Sequence, residues 1–407
     1  MKCRHCGKLL EHSFLDLGFA PPSNAYLLAE NLSHAEVHYP LRVKVCDHCW
    51  LVQTEDYARA DELFSADYAY FSGTSTGWLD HAARYANAIA DRLRLGSESL
   101  VIEVASNDGY LLKNFVAADI PCLGIEPTDS TASAAEALGI PVLREFFGKA
   151  LGHQLAADGH QADLIAANNV YAHVPDINDF TRGLAAALKP EGTITLEFPH
   201  LVPLIEHTQF DTIYHEHFSY LSLTAVKGIF AAAGLRVWDV EQLPTHGGSL
   251  RVYGCHADAA IPTEDSVGLL LAREQQFGIT RLGTYTAFQA RADRVKDDFL
   301  AFLIEQKRAG RQVAAYGAAA KGNTLLNYAG IRPDLLPFVS DAAVSKQGKF
   351  MPGSHIPILS PQALRDNPPN DVIVLPWNIA NEVRNELADL KRAGARFVTA
   401  IPDLSFS

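Results

Sequence analysis

The stretch Val101-Ile102-Glu103-Val104-Ala105-Ser106-Asn107-Asp108-Gly109-Tyr110-Leu111-Leu112 decides how this chain is read. An apolar, β-branched start runs into small and turn-forming residues and then into an apolar repeat, which reads as strand, turn and helix. Small residues at such a turn let the backbone approach a ligand closely. The pattern is not GxGxxG, because Ala105 and Asn107 stand where glycines would be, and this weakens a pyrophosphate-binding reading. Glu103, inside the turn, suits a cationic group such as the amino-acid end of S-adenosylmethionine. Glu126 ends the next strand, 17 residues past Gly109, where a carboxylate can accept both ribose hydroxyls. A dinucleotide site would also place an acid there, so Glu126 alone does not discriminate. Asn168 and Asn169, at the end of a third strand, are candidates for the cofactor's polar backbone.

Outward from this turn, short apolar strands alternate with helical patterns. SLVIEVAS (99–106), PCLGIEP (121–127), ADLIAANN (162–169) and GTITLEFP (192–199) read as strands, with DGYLLKNFVAA and TASAAEALGI as helices between them. A helix near Gly77–Leu95 precedes them, with Trp78, Ala82, Tyr85 and Ile89 on one face. This is βαβ architecture, hence a parallel sheet that binds ligands at the carboxyl ends of its strands. A second αβ run fills the last third: strands 311–319, 335–341, 371–377 and 396–402, with helix KGNTLLNYAGI after the first. Residues 264–309 between the two runs read as helical and charged on the surface. The expected fold is therefore α/β, with two Rossmann-like units and parallel sheets plus a small N-terminal module. The boundaries expected are 1–60, 61–255 and 256–407.

At 407 residues, two or three domains are the starting expectation. A net charge of −13 argues against a nucleic-acid-binding surface. No segment approaches the roughly 20 apolar residues of a membrane span, and the N-terminus reads as neither signal nor anchor, so a cytoplasmic location is expected. Four of the six cysteines form two CxxC pairs, Cys3/Cys6 and Cys46/Cys49. In a reducing compartment such pairs read as thiolate zinc ligands before disulfides. A tight CxxC turn brings two sulfurs to about 3.7 Å, as Zn–S bonds of about 2.3 Å require. With four protein ligands the metal has no open position, so it is expected to be structural.

The densest chemistry is Asp211-Thr-Ile-Tyr214-His215-Glu216-His217-Phe-Ser219-Tyr220. HEH is not HExxH, since two histidines two residues apart cannot share one metal from a helix. In an extended segment His215 and His217 would share a face, and a metal there would need a third ligand such as His173. General acid/base work is the preferred reading, because histidine titrates near neutrality and Glu or Tyr can orient it.

Taken together, CRHC…CDHC, DYAYFSGTS, VIEVASNDGYLL, GIEPT, NNVYAHVPD, TIYHEHFSYLS, HGGSLRVY, YGAAAKGNTLLN and SDAAVSKQGKFMPG resemble the sugar C-methyltransferases of deoxysugar biosynthesis, over almost the whole chain. That resemblance implies an N-terminal zinc module, a central S-adenosylmethionine-dependent methyltransferase domain and a C-terminal Rossmann-like domain. It implies methylation of a carbon beside the ketone of a TDP-linked 4-keto sugar. It places the catalytic histidine on His217, active-site partners on Tyr214 and Glu216, a second histidine on His173, and a tyrosine near the sugar on Tyr68, with Tyr70 as the other candidate. The degenerate cofactor loop is itself a family feature.

On these grounds Glu103, Ala105, Asn107, Gly109, Glu126, Asn168 and Asn169 are expected to hold the cofactor. Tyr70, Ser72, Ser249, Arg251, Lys321, Asn323 and Lys346 are expected to hold the nucleotide sugar, Lys321 at a helix start suited to phosphate. A monomer is expected. Methylation at C5 or at oxygen, an NAD-dependent dehydrogenase or epimerase, and a zinc-bearing binding protein are the rival readings.

Overall fold

The computed structural model describes residues 1–57, 71–74 and 76–407. Tyr68 and Tyr70 lie outside the described residues. Three sheets organise the rest.

The N-terminal module is more ordered than its aperiodic sequence suggests. Strands β1 (His12–Ala20), β2 (Tyr39–Val45) and β3 (Val52–Thr54) form an antiparallel sheet. Its fourth strand is β9 (Ser219–Tyr220), from just beyond the YHEH segment, with Val52 opposite Tyr220 and Gln53 opposite Ser219. The zinc module is thus joined through its sheet to the segment that carries the histidines.

The central sheet has seven strands: β4 (Val101–Val104), β5 (Cys122–Ile125), β6 (Val142–Leu143), β7 (Ala162–Asn168), β8 (Leu188–Pro199), β10 (Leu235–Leu243) and β11 (Ser249–His256). Their order is β10-β11-β8-β7-β4-β5-β6. β4 to β8 pair in parallel, whereas β11 pairs antiparallel with both β8 and β10. Apolar runs such as Val101–Val104 are buried on both faces, as a parallel sheet covered by helices requires. Helix Thr76–Leu93 covers one face through Ala82, Tyr85, Ala86 and Ile89.

The expected helix after Gly109 contracts to Lys113–Val116. Ala105, Asn107 and Gly109 all take left-handed φ angles (57°, 51° and 77°), so the chain turns before it can coil. A side chain at Gly109 would put its Cβ 2.5 Å from Ile140 Cδ1.

The C-terminal sheet runs β14-β13-β12-β15-β16-β17, from β12 (Val313–Tyr316), β13 (Val339–Ser340), β14 (Ile358–Leu359), β15 (Asp371–Val374), β16 (Arg396–Thr399) and β17 (Ser405–Phe406). It is parallel except for the β16–β17 pair. The strand expected over 335–341 shortens to two residues because Arg332–Leu336 closes a turn. Helices Asp265–Phe277, Leu282–Thr286 and Phe288–Arg308 fill the connecting stretch. One apolar core joins the N-terminal sheet (Phe14, Val43, Val45), the loop around Phe210 and Ile213, and the C-terminal sheet (Val339, Ile373, Val398). The N-terminal and C-terminal sheets therefore meet beside the Tyr214–His217 segment.

Candidate active site

Cys3, Cys6, Cys46 and Cys49 place their four sulfurs within 4.8 Å of one another. The cross-knuckle pairs Cys3–Cys49 and Cys6–Cys46 are 3.5 Å apart. Each CxxC is followed by a left-handed residue, Gly7 (φ 74°) or Trp50 (φ 62°), which folds the chain back so both sulfurs face inward. The amide of Gln53 donates to Cys3 Sγ at 3.2 Å, as a thiolate ligand would accept. The donor set fits a four-sulfur zinc site, and it is the only metal-ligating cluster among the described residues. His215, His217 and His173 do not form one.

The knuckle grips the histidine segment directly. Arg4 donates to the Pro175 and Thr54 carbonyls and pairs with Asp56 at 2.7 Å. The Thr54 hydroxyl donates to the His217 carbonyl at 3.2 Å.

At the carboxyl ends of β4, β5 and β7 the expected cofactor residues come together. Glu103 is 1% exposed, and neither of its oxygens makes a hydrogen bond of ordinary geometry. Burial holds its carboxyl well above the usual range; the Tyr110 hydroxyl only partly offsets this, and the charges of Glu126 and Asp108 add to it. Glu126 staples the loop by accepting from Asn107 N–H at 2.9 Å and Thr128 N–H at 3.0 Å. Each of those oxygens keeps a second lone pair. Among the described residues, the buried side-chain oxygens of Asn168 and Asn169 have no hydrogen-bond partner. Ser72 reaches this loop through its backbone, its N–H donating to Asn107 Oδ1 at 2.9 Å. A buried carboxyl with no cationic partner among the described residues, beside the amide oxygens of Asn168 and Asn169, fits a cationic, donor-rich ligand such as S-adenosylmethionine, whose ammonium Glu103 would hold and whose ribose Glu126 would hold.

Across the cleft, Tyr214–His217 is a tight turn closed by His217 N–H to Tyr214 O at 3.0 Å. In this turn His215 and His217 diverge, rather than sharing the face that an extended segment would give them. His215 packs edge-on to Tyr39 and is buried beside the Tyr39–Pro40 backbone. His217 turns inward, its ring 4.6 Å from that of His173 and 4.0 Å from that of Tyr214.

His217 Nδ1 lies 3.0 Å from the Thr212 carbonyl, and His173 Nδ1 lies 2.9 Å from the Glu216 carbonyl. A carbonyl only accepts, so both Nδ1 atoms carry hydrogen and both neutral rings present a lone pair at Nε2. Burial, reinforced by His173, His246 and Lys321, pushes His217 well below the ordinary histidine range, and burial pushes His173 down to about 4. Both are neutral at pH 7.

The expected substrate residues divide. Lys321 lies over the Trp377 ring (4.7 Å) and donates to Asn378 Oδ1 at 3.0 Å. Burial lowers its pKa, opposed by Asp211. Trp377 Nε1 donates to Asp211 Oδ2 at 2.7 Å, and burial lifts that carboxyl to about 6. Lys346 donates to the Ala318 carbonyl at 2.9 Å and lies 3.6 Å from Asp341. Ser249, Arg251 and Asn323 are buried and directed inward. Ser249 donates to Thr245 O, and Asn323 to Ser23 O. Arg251 pairs with Glu197 at 2.7 Å and Glu241 at 3.2 Å, over the Tyr85 ring. These side chains hold the walls of the cleft together.

Several site residues carry no signal that sequence reasoning picked up. Glu197, fully buried, also accepts from His81 at 2.9 Å and Thr245 at 3.1 Å. Burial alone would raise its pKa, but His81 and Arg251 outweigh it and leave it lowered. His246 sits 3.4 Å from Asn169 Nδ2 and against Trp78, with φ 54°. Gly247 follows it at φ 87°, where a Cβ would meet Trp377 at 2.3 Å. The HGG string could have signalled this crowded turn.

Three family models match in series: a zinc-binding domain over residues 3–64, a methyltransferase domain over 78–240 and a C-methyltransferase C-terminal domain over 244–402. C-methyltransferase NovU of Streptomyces niveus is 34% identical over 402 residues, covering 99% of this chain and 96% of that protein. The chain belongs to the C-methyltransferase family. It is an S-adenosylmethionine-dependent C-methyltransferase with a structural zinc module. Solved methyltransferases show fainter likeness. Magnesium protoporphyrin IX methyltransferase from Synechocystis PCC 6803 is 14% identical, with 44% of this chain and 77% of that one covered and a TM-score of 0.32. A Thermotoga maritima methyltransferase is 15% identical, with 43% and 91% covered and a TM-score of 0.33. Among the described residues no helix is long and apolar enough to cross a membrane.

Proposed function

We propose that this C-methyltransferase methylates C3 of a TDP-linked 4-keto-deoxysugar, acting as a monomer in the cytoplasm, with His217 as the base. The observation that carries the reading is the state of His217: neutral, buried, its Nδ1–H fixed on the Thr212 carbonyl and its Nε2 lone pair available. The saturated carbon beside a ketone becomes nucleophilic by losing its proton, and the C3 proton beside a C4 ketone is acidic enough for an imidazole to take as the enolate forms. S-adenosylmethionine supplies the electrophilic methyl group.

His173 has its Nδ1–H on the Glu216 carbonyl, so its neutral ring offers no second N–H to an enolate oxygen. That donor role passes to the Tyr214 hydroxyl, on the ring that packs tilted against His217. Lys321, set above Trp377 at the start of helix Ala320–Tyr328, is the candidate contact for the pyrophosphate, and Lys346 for the remainder of the nucleotide. Tyr68, Tyr70 and Ser72 are the residues we assign to the sugar side. The test is the position of the label after turnover of a TDP-4-keto-6-deoxysugar with methyl-¹³C S-adenosylmethionine. A ¹³C-methyl whose protons show long-range correlations to C3 and to the C4 carbonyl is expected; label on C5 or on an oxygen rejects the assignment.

A further inference from the structure

We infer that Asn24, in the loop of the zinc module, is a positioning residue for the catalytic turn. Its side-chain nitrogen lies 3.0 Å from both carboxylate oxygens of Glu216. An ionised carboxylate only accepts, so the amide nitrogen is the atom that must face it. Glu216 is 2% exposed and 192 residues away in sequence, so this contact exists only because the modules close on each other. The loop bearing Asn24 is pinned on its far side. Tyr26 donates to the Ala318 carbonyl at 2.6 Å, and Leu27 and Phe350 exchange backbone hydrogen bonds at 3.0 and 2.9 Å.

The consequence reaches the histidines. The Glu216 carbonyl is the group that fixes His173 Nδ1, and His173 packs against His217. Asn24 therefore holds the Glu216 side chain while the same residue's backbone sets the His173 tautomer. Alongside the Thr54 contact to the His217 backbone, this side chain ties the zinc module to the Glu216 carboxylate, with no contact to the reacting atoms required.

The inference rests on the assignment of Glu216 and His173 to the active site, so wild-type C-methylation is established first on the full-length zinc-loaded protein. Asn24→Ala is expected to lower kcat on the order of 10²-fold with little change in KM, the scale of a misplaced catalytic group. Asn24→Asp is the near-isosteric second variant. Two facing carboxylates resist ionising together, so at acidic pH they share a proton, the introduced carboxylic acid donating as the amide does, and at higher pH that proton is lost. The activity of this variant is expected to recover at acidic pH and fall as pH rises, a limb the wild type lacks. In a Glu216→Gln background, Asn24→Ala is expected to cost much less than in the wild type. Equal cost in both backgrounds, or wild-type kcat and pH profile in both single variants, overturns the inference. Loss of wild-type C-methylation itself would instead remove the active-site assignment on which it rests.

Discussion

Replacing Glu103 by Gln should make the ligand-free protein more stable and the cofactor site weaker at once. In the structure Glu103 is a buried carboxylate without ordinary hydrogen bonds, its pKa raised well above the usual range by burial. A carboxyl whose folded pKa is raised binds its proton more tightly in the folded state. Its penalty is absent below the unfolded value and grows as pH rises through the folded one. Glutamine is neutral at every pH and removes that penalty. A buried unmatched polar group costs about 1–3 kcal/mol, more when charged, so the apparent melting temperature of the apo protein should rise by several degrees at pH 8. The gain should shrink toward pH 5. The ligand's ammonium needs the charge that glutamine lacks, and a charged hydrogen bond contributes about 1.5–3 kcal/mol. S-adenosylhomocysteine should therefore bind about 10- to 100-fold more weakly. Calorimetry and thermal melts of the same preparations decide it. Unchanged affinity, or a less stable apo variant, would refute the idea that Glu103 is kept without a charge partner to receive a cation.

The sulfur cluster should yield one zinc per chain, and chelation should abolish C-methylation while leaving S-adenosylhomocysteine binding nearly intact, because the β3–β9 pairing and Arg4 act on the His173–His217 side of the cleft; metal analysis alongside calorimetry checks this. Glu197→Gln should cost about 3–5 kcal/mol by leaving the buried Arg251 with only the half-exposed Glu241 to balance it, and Arg251→Met added to it should restore much of that, measured by urea denaturation. Because the Glu197 pKa is lowered in the fold, its contribution is present above the ordinary carboxylate value and should fade only as pH falls below it. Lys321→Ala should raise KM for the nucleotide sugar about tenfold or more while S-adenosylmethionine binding stays unchanged, read from steady-state kinetics.

What the sequence revealed follows from what each feature depends on. The strand ends carrying Glu103, Glu126 and Asn168 were legible because period and turn chemistry are local. The cysteines were legible because metal spacing is local too. The turn at Tyr214–His217 was not: the string has no Gly or Pro to announce it, and it is held by the Thr212 carbonyl and by β3. The helix expected after Gly109 shortened because left-handed residues consume its first turn. Asn24 and the Glu197–Arg251–His81 cluster are contacts between residues 54 to 192 positions apart, and no periodicity encodes them.

The most direct measurement is exchange at C3. Protein, S-adenosylhomocysteine and a TDP-4-keto-6-deoxysugar are incubated in D₂O and the sugar is followed by NMR, so that proton removal is seen without methyl transfer. The account predicts that deuterium enters C3 with wild-type protein and that His217→Asn, still binding S-adenosylhomocysteine normally, abolishes the exchange. Exchange at the wild-type rate in that variant would contradict it.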